Sequence, residues 1–229
     1  MAQEQLVGPQ SKSPSVLIGL LSHVGHFHPD MLRSLDRLVA ASIKGGVDIH
    51  ICKTFGSLIA GNRNSIAKEA IQRNDDYLLF IDSDMVFDGD FLLDLLKRKR
   101  DIVSGLCVSR RPPYRPVAKV LHPDGRYFPR NGLDEGRFFS DLDAVGTAFV
   151  LIKTDVFRKI EPPWFAMPPY MGGIMGEDVY FCKKAKEVGY DVCVDTSIIV
   201  GHVGEHAFTI YDHLDYMKEH AKEVDLAFD

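Results

Sequence analysis

Two carboxylates, Asp82 and Asp84, stand one residue apart at the end of the apolar run Tyr77-Leu-Leu-Phe-Ile-Asp-Ser-Asp84. The run is short, aromatic-rich and bounded by polar residues, which predicts a buried strand. In an open α/β sheet, ligands bind beyond the carboxyl ends of the strands, so this pair is expected at a binding crevice. Two carboxylates crowded there repel unless a cation lies between them, and a hard divalent ion suits such oxygen ligands. The same residues could simply close the strand in an Asx-type turn, so the metal reading needs support from elsewhere in the chain. Two further groups offer it: Gly176-Glu177-Asp178 at the head of a helical pattern, and His202 after a long apolar strand. Each has a plain structural alternative. Acids are favoured at a helix start by the helix dipole, and a strand-end histidine can serve only to bond backbone.

The elements that must position these groups alternate in type. Ser15 to Leu21 reads as a first strand. Pro29 suits the first turn of a helix, and Leu32, Leu35, Leu38, Val39 and Ile43 follow at helical spacing up to Gly45-Gly46. Val47 to Cys52 reads as a second strand. Gly61-Asn-Arg-Asn opens a helix with Ile66, Ala67, Ala70 and Ile71 on one face, and Asp88-Gly-Asp90 caps another carrying Phe91, Leu92, Leu95 and Leu96. Strand and helix alternating to about residue 100 predict a parallel, doubly wound sheet. No Gly-x-Gly-x-x-Gly follows the first strand, which removes the dinucleotide fingerprint.

The second half is more mixed. Ile102 to Cys107 predicts a strand, Arg110-Arg-Pro-Pro-Tyr-Arg-Pro116 a rigid basic loop, and Val117 to Leu121 and Tyr127 to Phe139 short strands or hairpins. Ala144 to Ile152 reads as one apolar strand, and Asp155 to Ile160 as a short helix. Glu161 to Gly173 is a loop rich in Pro, Gly and aromatics. Glu177 to Val188 is helical, closed by Gly189. Val192 to Val200 is a last strand, ending at Gly201-His202. Lys97-Arg-Lys-Arg100 reads as cations at a helix C-terminus.

Composition bounds the function class. A chain of 229 residues with 45% hydrophobic and 26% charged residues can build a sizeable core without staples, and its net charge of −5 argues against non-specific nucleic-acid binding. Cys52, Cys107, Cys182 and Cys193 form no Cys-x-x-Cys and read as small buried hydrophobes of a reducing compartment. With no signal-like leader and no apolar run of transmembrane length, a cytoplasmic protein is expected.

Taken in order, five features resemble the GT-A fold glycosyltransferases, especially the broad family 2-like group. They are Asp82-Ser-Asp84 after its strand, Arg63 in Gly61-Asn-Arg63-Asn, the strand Ala144-Val-Gly-Thr-Ala-Phe-Val-Leu-Ile152, Gly176-Glu-Asp178, and His202. The resemblance runs from about Val16 to His202. It implies an α/β fold of GT-A, Rossmann-like type: a mixed, mainly parallel sheet flanked by helices in a single domain. Within residues 14–229 a nucleotide-binding half would span about 14–100, an acceptor half about 101–204 and a C-terminal helical tail 205–229, after a loose tail over 1–13. The implied activity is metal-dependent transfer of a sugar from a nucleotide-diphosphate sugar to an acceptor hydroxyl. The acceptor, a sugar, lipid or protein, stays open, as does the donor.

The resemblance also implies roles. Mn²⁺, or Mg²⁺ in its place, would be held by Asp84 and His202, with Asp82 on ribose or reaching the metal through water. Asp178 would be the acceptor-side base, with Glu177 its alternative. Ser22, Arg63, Asp82, Ser83, Arg110, Arg111 and Arg115 would bind the nucleotide sugar; the three arginines flanking Pro112-Pro113 could fold over the diphosphate as a lid or form a plain surface loop. Gly146, Thr147, Trp164, Tyr170 and Met171 would face the acceptor, the aromatic residues among them packing on a sugar ring or else forming a small satellite core under the loop. The loop His23-x-x-His26-x-His28 offers a nucleotide contact rather than a zinc site. Two family patterns are replaced: Gly19-Leu-Leu-Ser22-His23 follows the first strand and Thr54-Phe-Gly-Ser57 the second, which leaves base and sugar open. Two other classes compete. A haloacid-dehalogenase-like phosphohydrolase also uses Asp-x-Asp after a strand, with the first Asp as nucleophile. A catalytically silent nucleotide-sugar or glycan-binding module would share the site without the chemistry. Against the phosphohydrolase, two strand–helix units precede the Asp pair, and Val86 stands where a hydroxyl residue is expected.

Overall fold

A computed structural model describes residues 13–224 except 24, 57, 134 and 205; most of the expected N-terminal tail lies outside them. The elements run β1 (Ser15–Ser22), α1 (Pro29–Lys44), β2 (Asp48–Phe55), α2 (Ile59–Arg73), β3 (Tyr77–Asp82), β4 (Met85–Val86), α3 (Phe91–Lys97), β5 (Ile102–Leu106), β6 (Ala118–Leu121), β7 (Tyr127–Pro129) and β8 (Phe138–Leu142). They continue β9 (Ala144–Val145), β10 (Phe149–Lys153), α4 (Thr154–Lys159), β11 (Pro169–Tyr170), β12 (Gly173–Ile174), α5 (Glu177–Glu187), β13 (Val192–Ile199), β14 (Gly201–Val203), β15 (Ala207–Phe208) and α6 (Ile210–Val224).

A seven-stranded sheet in the order β2-β1-β3-β10-β5-β13-β8 forms the centre of this single α/β domain. β2, β1, β3, β5 and β13 run one way, while β10 and β8 run against them. This is the expected mixed, Rossmann-like sheet. Both faces are covered, which is why the interiors of β1 and β3 read as unbroken apolar runs rather than alternating ones. Successive side chains still divide by face. Leu17, Leu21, Leu78 and Phe80 join Ile66, Ala67 and Ala70 of α2, Val156 and Phe157 of α4, and Phe181 and Cys182 of α5. Val16, Ile18, Leu20, Leu79 and Ile81 join Met31, Leu35 and Leu38 of α1 and Leu92 and Leu95 of α3. Gly19 lets α2 approach β1: a Cβ there would sit 2.5 Å from Ile66 Cγ2.

Four features depart from the pattern in the sequence. α2 begins at Ile59, not at Gly61, so Arg63 lies in its second turn. The stretch from Ala144 to Ile152 is two strands, not one. Gly146 packs so tightly on Val117 that a Cβ would meet Val117 Cγ1 at 2.8 Å, and the chain turns there from the β7-β6-β9 sheet into β10. β13 is not the last strand: after Ile199 the chain leaves the main sheet and β14 pairs with β4 and β15. Arg98 is more than a helix-end cation. Its Nε lies 2.5 Å from the buried carboxylate of Asp195.

Candidate functional site

The turn after β3 and the chain after β13 meet through backbone hydrogen bonds. Met85 pairs with His202 and Val86 with Gly201, and Val203 N–H donates to Asp84 O at 2.8 Å. This ladder sets His202 Nε2 3.3 Å from Asp84 Oδ2. The other ring nitrogen, Nδ1, lies 3.2 Å from Val108 O. A carbonyl oxygen only accepts, so Nδ1 carries the hydrogen. In the neutral ring Nε2 then aims a lone pair at a carboxylate, and two acceptors face each other. A proton or a cation must reconcile them. A ring N–H held by a backbone carbonyl while the opposite nitrogen binds metal is the usual outer-shell arrangement of a ligating histidine. Adjacent donors on one octahedral ion sit about 3 Å apart, close to the separation here, so Asp84 and His202 fit a divalent ion.

Among the described residues no three His, Cys, Asp or Glu side chains converge on one point. The chain itself offers two donors, and the expected third, Asp82, is engaged elsewhere. Arg63 Nη2 lies 3.0 and 3.2 Å from its two carboxylate oxygens. Arg63 is only 1% exposed. Its Nη1 donates to Thr147 O at 3.2 Å and its Nε faces Glu177 Oε1 at 3.4 Å, while the guanidinium lies over the Phe80 ring. The expectation that Arg63 reaches nucleotide phosphates is therefore corrected. It is a buried strut joining the end of β3, the Gly146 turn and the start of α5. A helix arginine reads as solvated in sequence, and its partners lie far along the chain, so burial had no local signal.

The two carboxylates differ electrostatically. Burial pushes the Asp82 carboxyl up, Arg63 offsets this in part, and the charge of Asp84 adds to the rise. Burial also pushes Asp84 up, but the His202 ring and the Arg110 guanidinium outweigh it, and its net shift is downward. Arg110 Nη1 lies 3.1 Å from Asp84 Oδ2.

A cavity of about 370 Å³ opens at this point, lined by Leu21, Ser22, His23, Gly56, Ile59, Asn62, Asp82, Ser83, Asp84, Arg110 and His202. Of the expected nucleotide contacts, Ser22, Asp82, Ser83 and Arg110 are brought together here. Ser22 Oγ donates to His26 O, and Ser83 O accepts the His28 N–H. Arg111 and Arg115 are not brought to this cavity. Arg115 lines a separate, largely apolar groove with Phe128, Ile210 and Leu214, so the three arginines do not form one lid over one ligand. His28 caps α1, its Nδ1 accepting the Asp30 N–H. Asn62 and Ile59 were not singled out in the sequence.

On the acceptor side the expected residues separate. Glu177 faces Arg63 and is 14% exposed in its side chain. Asp178 Oδ1 accepts the Val179 N–H at 2.7 Å; among the described residues no hydrogen bond takes Oδ2, and Asp178 does not line the Asp84 cavity. Trp164 is no exposed sugar platform: it is 9% exposed, with Nε1 donating to Phe157 O and Ile160 O. Asn64 pins this segment to α2, its Oδ1 accepting the N–H groups of Trp164 and Phe165. Gly146 is packed and Thr147 is buried, so neither presents a side chain to an acceptor. Tyr170 is half-buried with its hydroxyl donating to Gly125 O, and Met171 is exposed at a positive φ of 48°. No described helix is long and apolar enough to cross a membrane.

No family model matches the chain, and no curated protein does. Among solved structures it is similar to A197 from STIV, at 19% identity with a TM-score of 0.55, covering 85% of this chain and 89% of that one. A provisionally assigned glucose-1-phosphate thymidylyltransferase from Bacillus anthracis, solved in complex with a sucrose, aligns at 10% identity with a TM-score of 0.46, over 82% of this chain and 89% of its own. At 19% identity the likeness to A197 shows the fold alone, an α/β domain with a mixed, Rossmann-like sheet, and the second likeness adds nothing to that.

Proposed function

We propose that this protein is a metal-dependent glycosyltransferase that moves a sugar from a nucleotide-diphosphate sugar to an acceptor hydroxyl. The observation that carries the reading is the cluster of Asp84, His202 and Arg110 on the wall of one cavity at the carboxyl end of β3. Asp84 and His202 would hold Mn²⁺ or Mg²⁺, which supplies Lewis-acid stabilisation of the charge developing on the leaving diphosphate. Arg110 would pair with diphosphate oxygens. Ser22, His23, Ser83 and Asn62 would line the nucleotide. Asp178 would accept the proton of the attacking hydroxyl at its free Oδ2, with Tyr170 and Met171 flanking the acceptor. Arg63 engages Asp82 and Glu177 by charge, which supports Asp84 over Asp82 as the metal carboxylate and Asp178 over Glu177 as the base. The same strut weakens the phosphohydrolase alternative, in which Asp82 must be a free nucleophile.

A thermal-shift panel of UDP-, GDP- and dTDP-sugars with and without Mn²⁺ tests the proposal. A ligand that binds only the native state raises its stability by mass action. At least one diphosphate donor should stabilise the protein only when Mn²⁺ is present, and should release its nucleoside diphosphate slowly in water. A CMP-sugar, which lacks a diphosphate, is the control. Stabilisation that ignores metal throughout, or phosphate release from simple phosphomonoesters, would overturn the reading.

A further inference from the structure

In this structure Asp84 already holds a cation from its own chain. Its Oδ2 faces both His202 Nε2 at 3.3 Å and Arg110 Nη1 at 3.1 Å. A divalent ion bound to that oxygen and to His202 would share the oxygen with a guanidinium, and the two positive charges would repel across a few ångströms. Arg110 is free to yield. Its side chain is 50% exposed, and its other bond is a long one, 3.4 Å to Val203 O. The loop that carries it is closed on itself: Val108 bridges Pro116, Ser109 N–H donates to Arg115 O, and Tyr114 N–H donates to Arg111 O. The side chain can therefore swing without breaking the main sheet, and it lines the same cavity as the two metal donors.

We propose that Arg110 is an exchangeable counter-ion. It neutralises Asp84 in the metal-free protein and passes to the diphosphate oxygens when a divalent ion arrives with a diphosphate. The inference rests on the metal-dependent diphosphate reading above and adds to it a residue role and an order of events. Metal alone competes with Arg110 and binds weakly. A diphosphate gives the guanidinium a new bidentate partner and relieves that competition. Metal and diphosphate then bind cooperatively, each tightening the other by the same factor.

The test uses two probes on the full chain: Mn²⁺ alone, read from the free-ion spin-resonance signal, and preformed manganese–pyrophosphate, read by calorimetry. Arg110→Gln should bind Mn²⁺ alone roughly two- to five-fold more tightly than wild type, the weight of a half-exposed ion pair. It should bind manganese–pyrophosphate about ten-fold more weakly, the weight of a lost charge-assisted contact. Arg111→Gln, outside the cavity, should change neither. If wild type binds both probes but Arg110→Gln binds Mn²⁺ no more tightly, or pyrophosphate no more weakly, the exchange is wrong while the metal reading stands. If wild type binds neither probe, both fall together.

Discussion

Removing the Arg63 guanidinium is the sharpest perturbation of the fold and the site together. It leaves two carboxylates, Asp82 at 24% and Glu177 at 14% side-chain exposure, without their counter-charge. Breaking a buried pair costs about 3–5 kcal/mol. Asp82 keeps some solvent and can take up a proton, so Arg63→Met should fall at the lower end, about 3 kcal/mol. In a domain of this size each kcal/mol moves the melting temperature by about 2–4 °C, so a loss of about 6–12 °C is expected. The pH dependence has a definite sign. The native Asp82 carboxyl is already shifted up, so the folded state holds its proton more firmly than the unfolded chain does. Stability therefore falls as pH rises from the unfolded value through the native one, and this fall should steepen and move upward in Arg63→Met. Denaturant midpoints across pH give the assay. Adding Asp82→Asn and Glu177→Gln to Arg63→Met should recover most of the loss, because the penalty is unpaired charge and the three sites are coupled. A loss under about 1 kcal/mol, or three substitutions whose costs simply add, would refute the strut.

Two further outcomes follow from the same geometry. Asp178→Asn should lower kcat by about 10²-fold or more, with donor affinity and metal dependence nearly unchanged, whereas Glu177→Gln should mainly lower stability through Arg63; turnover retained in Asp178→Asn would remove the base assignment. Burial pushes the Cys107 and Cys182 thiols up to about 12 and Cys193 to about 11, so a thiol reagent at pH 8 should label at most Cys52 in the native protein and all four cysteines in guanidinium chloride; fast native labelling of two or more would contradict the packing.

Much of the central architecture was legible because local pattern and tertiary packing agree. The unbroken apolar runs of β1 and β3 state that both of their faces are buried, and of the helical face read in α1, Leu35 and Leu38 are buried whereas Leu32 and Ile43 are exposed, the buried neighbour being Met31. The position of Asp82 at a strand end follows from that pattern alone. What was not legible depends on partners distant in sequence. β4, β14 and β15 are two or three residues long, too short for any period, yet their pairing sets His202 beside Asp84. The break at Gly146 is a packing event against Val117, invisible in an apolar run. Trp164 suits a sugar ring as well as a core, because its aromatic face fits either; two backbone carbonyls satisfy its N–H inside the core. Nothing near Arg63 in sequence predicts that Asp82 and Glu177 will close over it, so the sequence pattern fits a phosphate-binding arginine equally well.

If Asp84 and His202 hold a divalent ion, as proposed, that ion should in turn hold a diphosphate. Calorimetric titration of nucleoside diphosphates, with Mn²⁺ or with chelator, into wild type, Asp84→Asn and His202→Ala tests it most directly. At least one nucleoside diphosphate should bind wild type ten-fold or more tightly with Mn²⁺, about the 1.4 kcal/mol of a single charge-assisted contact. Both variants should stay folded and lose that dependence. Equal affinity with Mn²⁺ and with chelator in wild type, or an undiminished metal effect in Asp84→Asn, would contradict it.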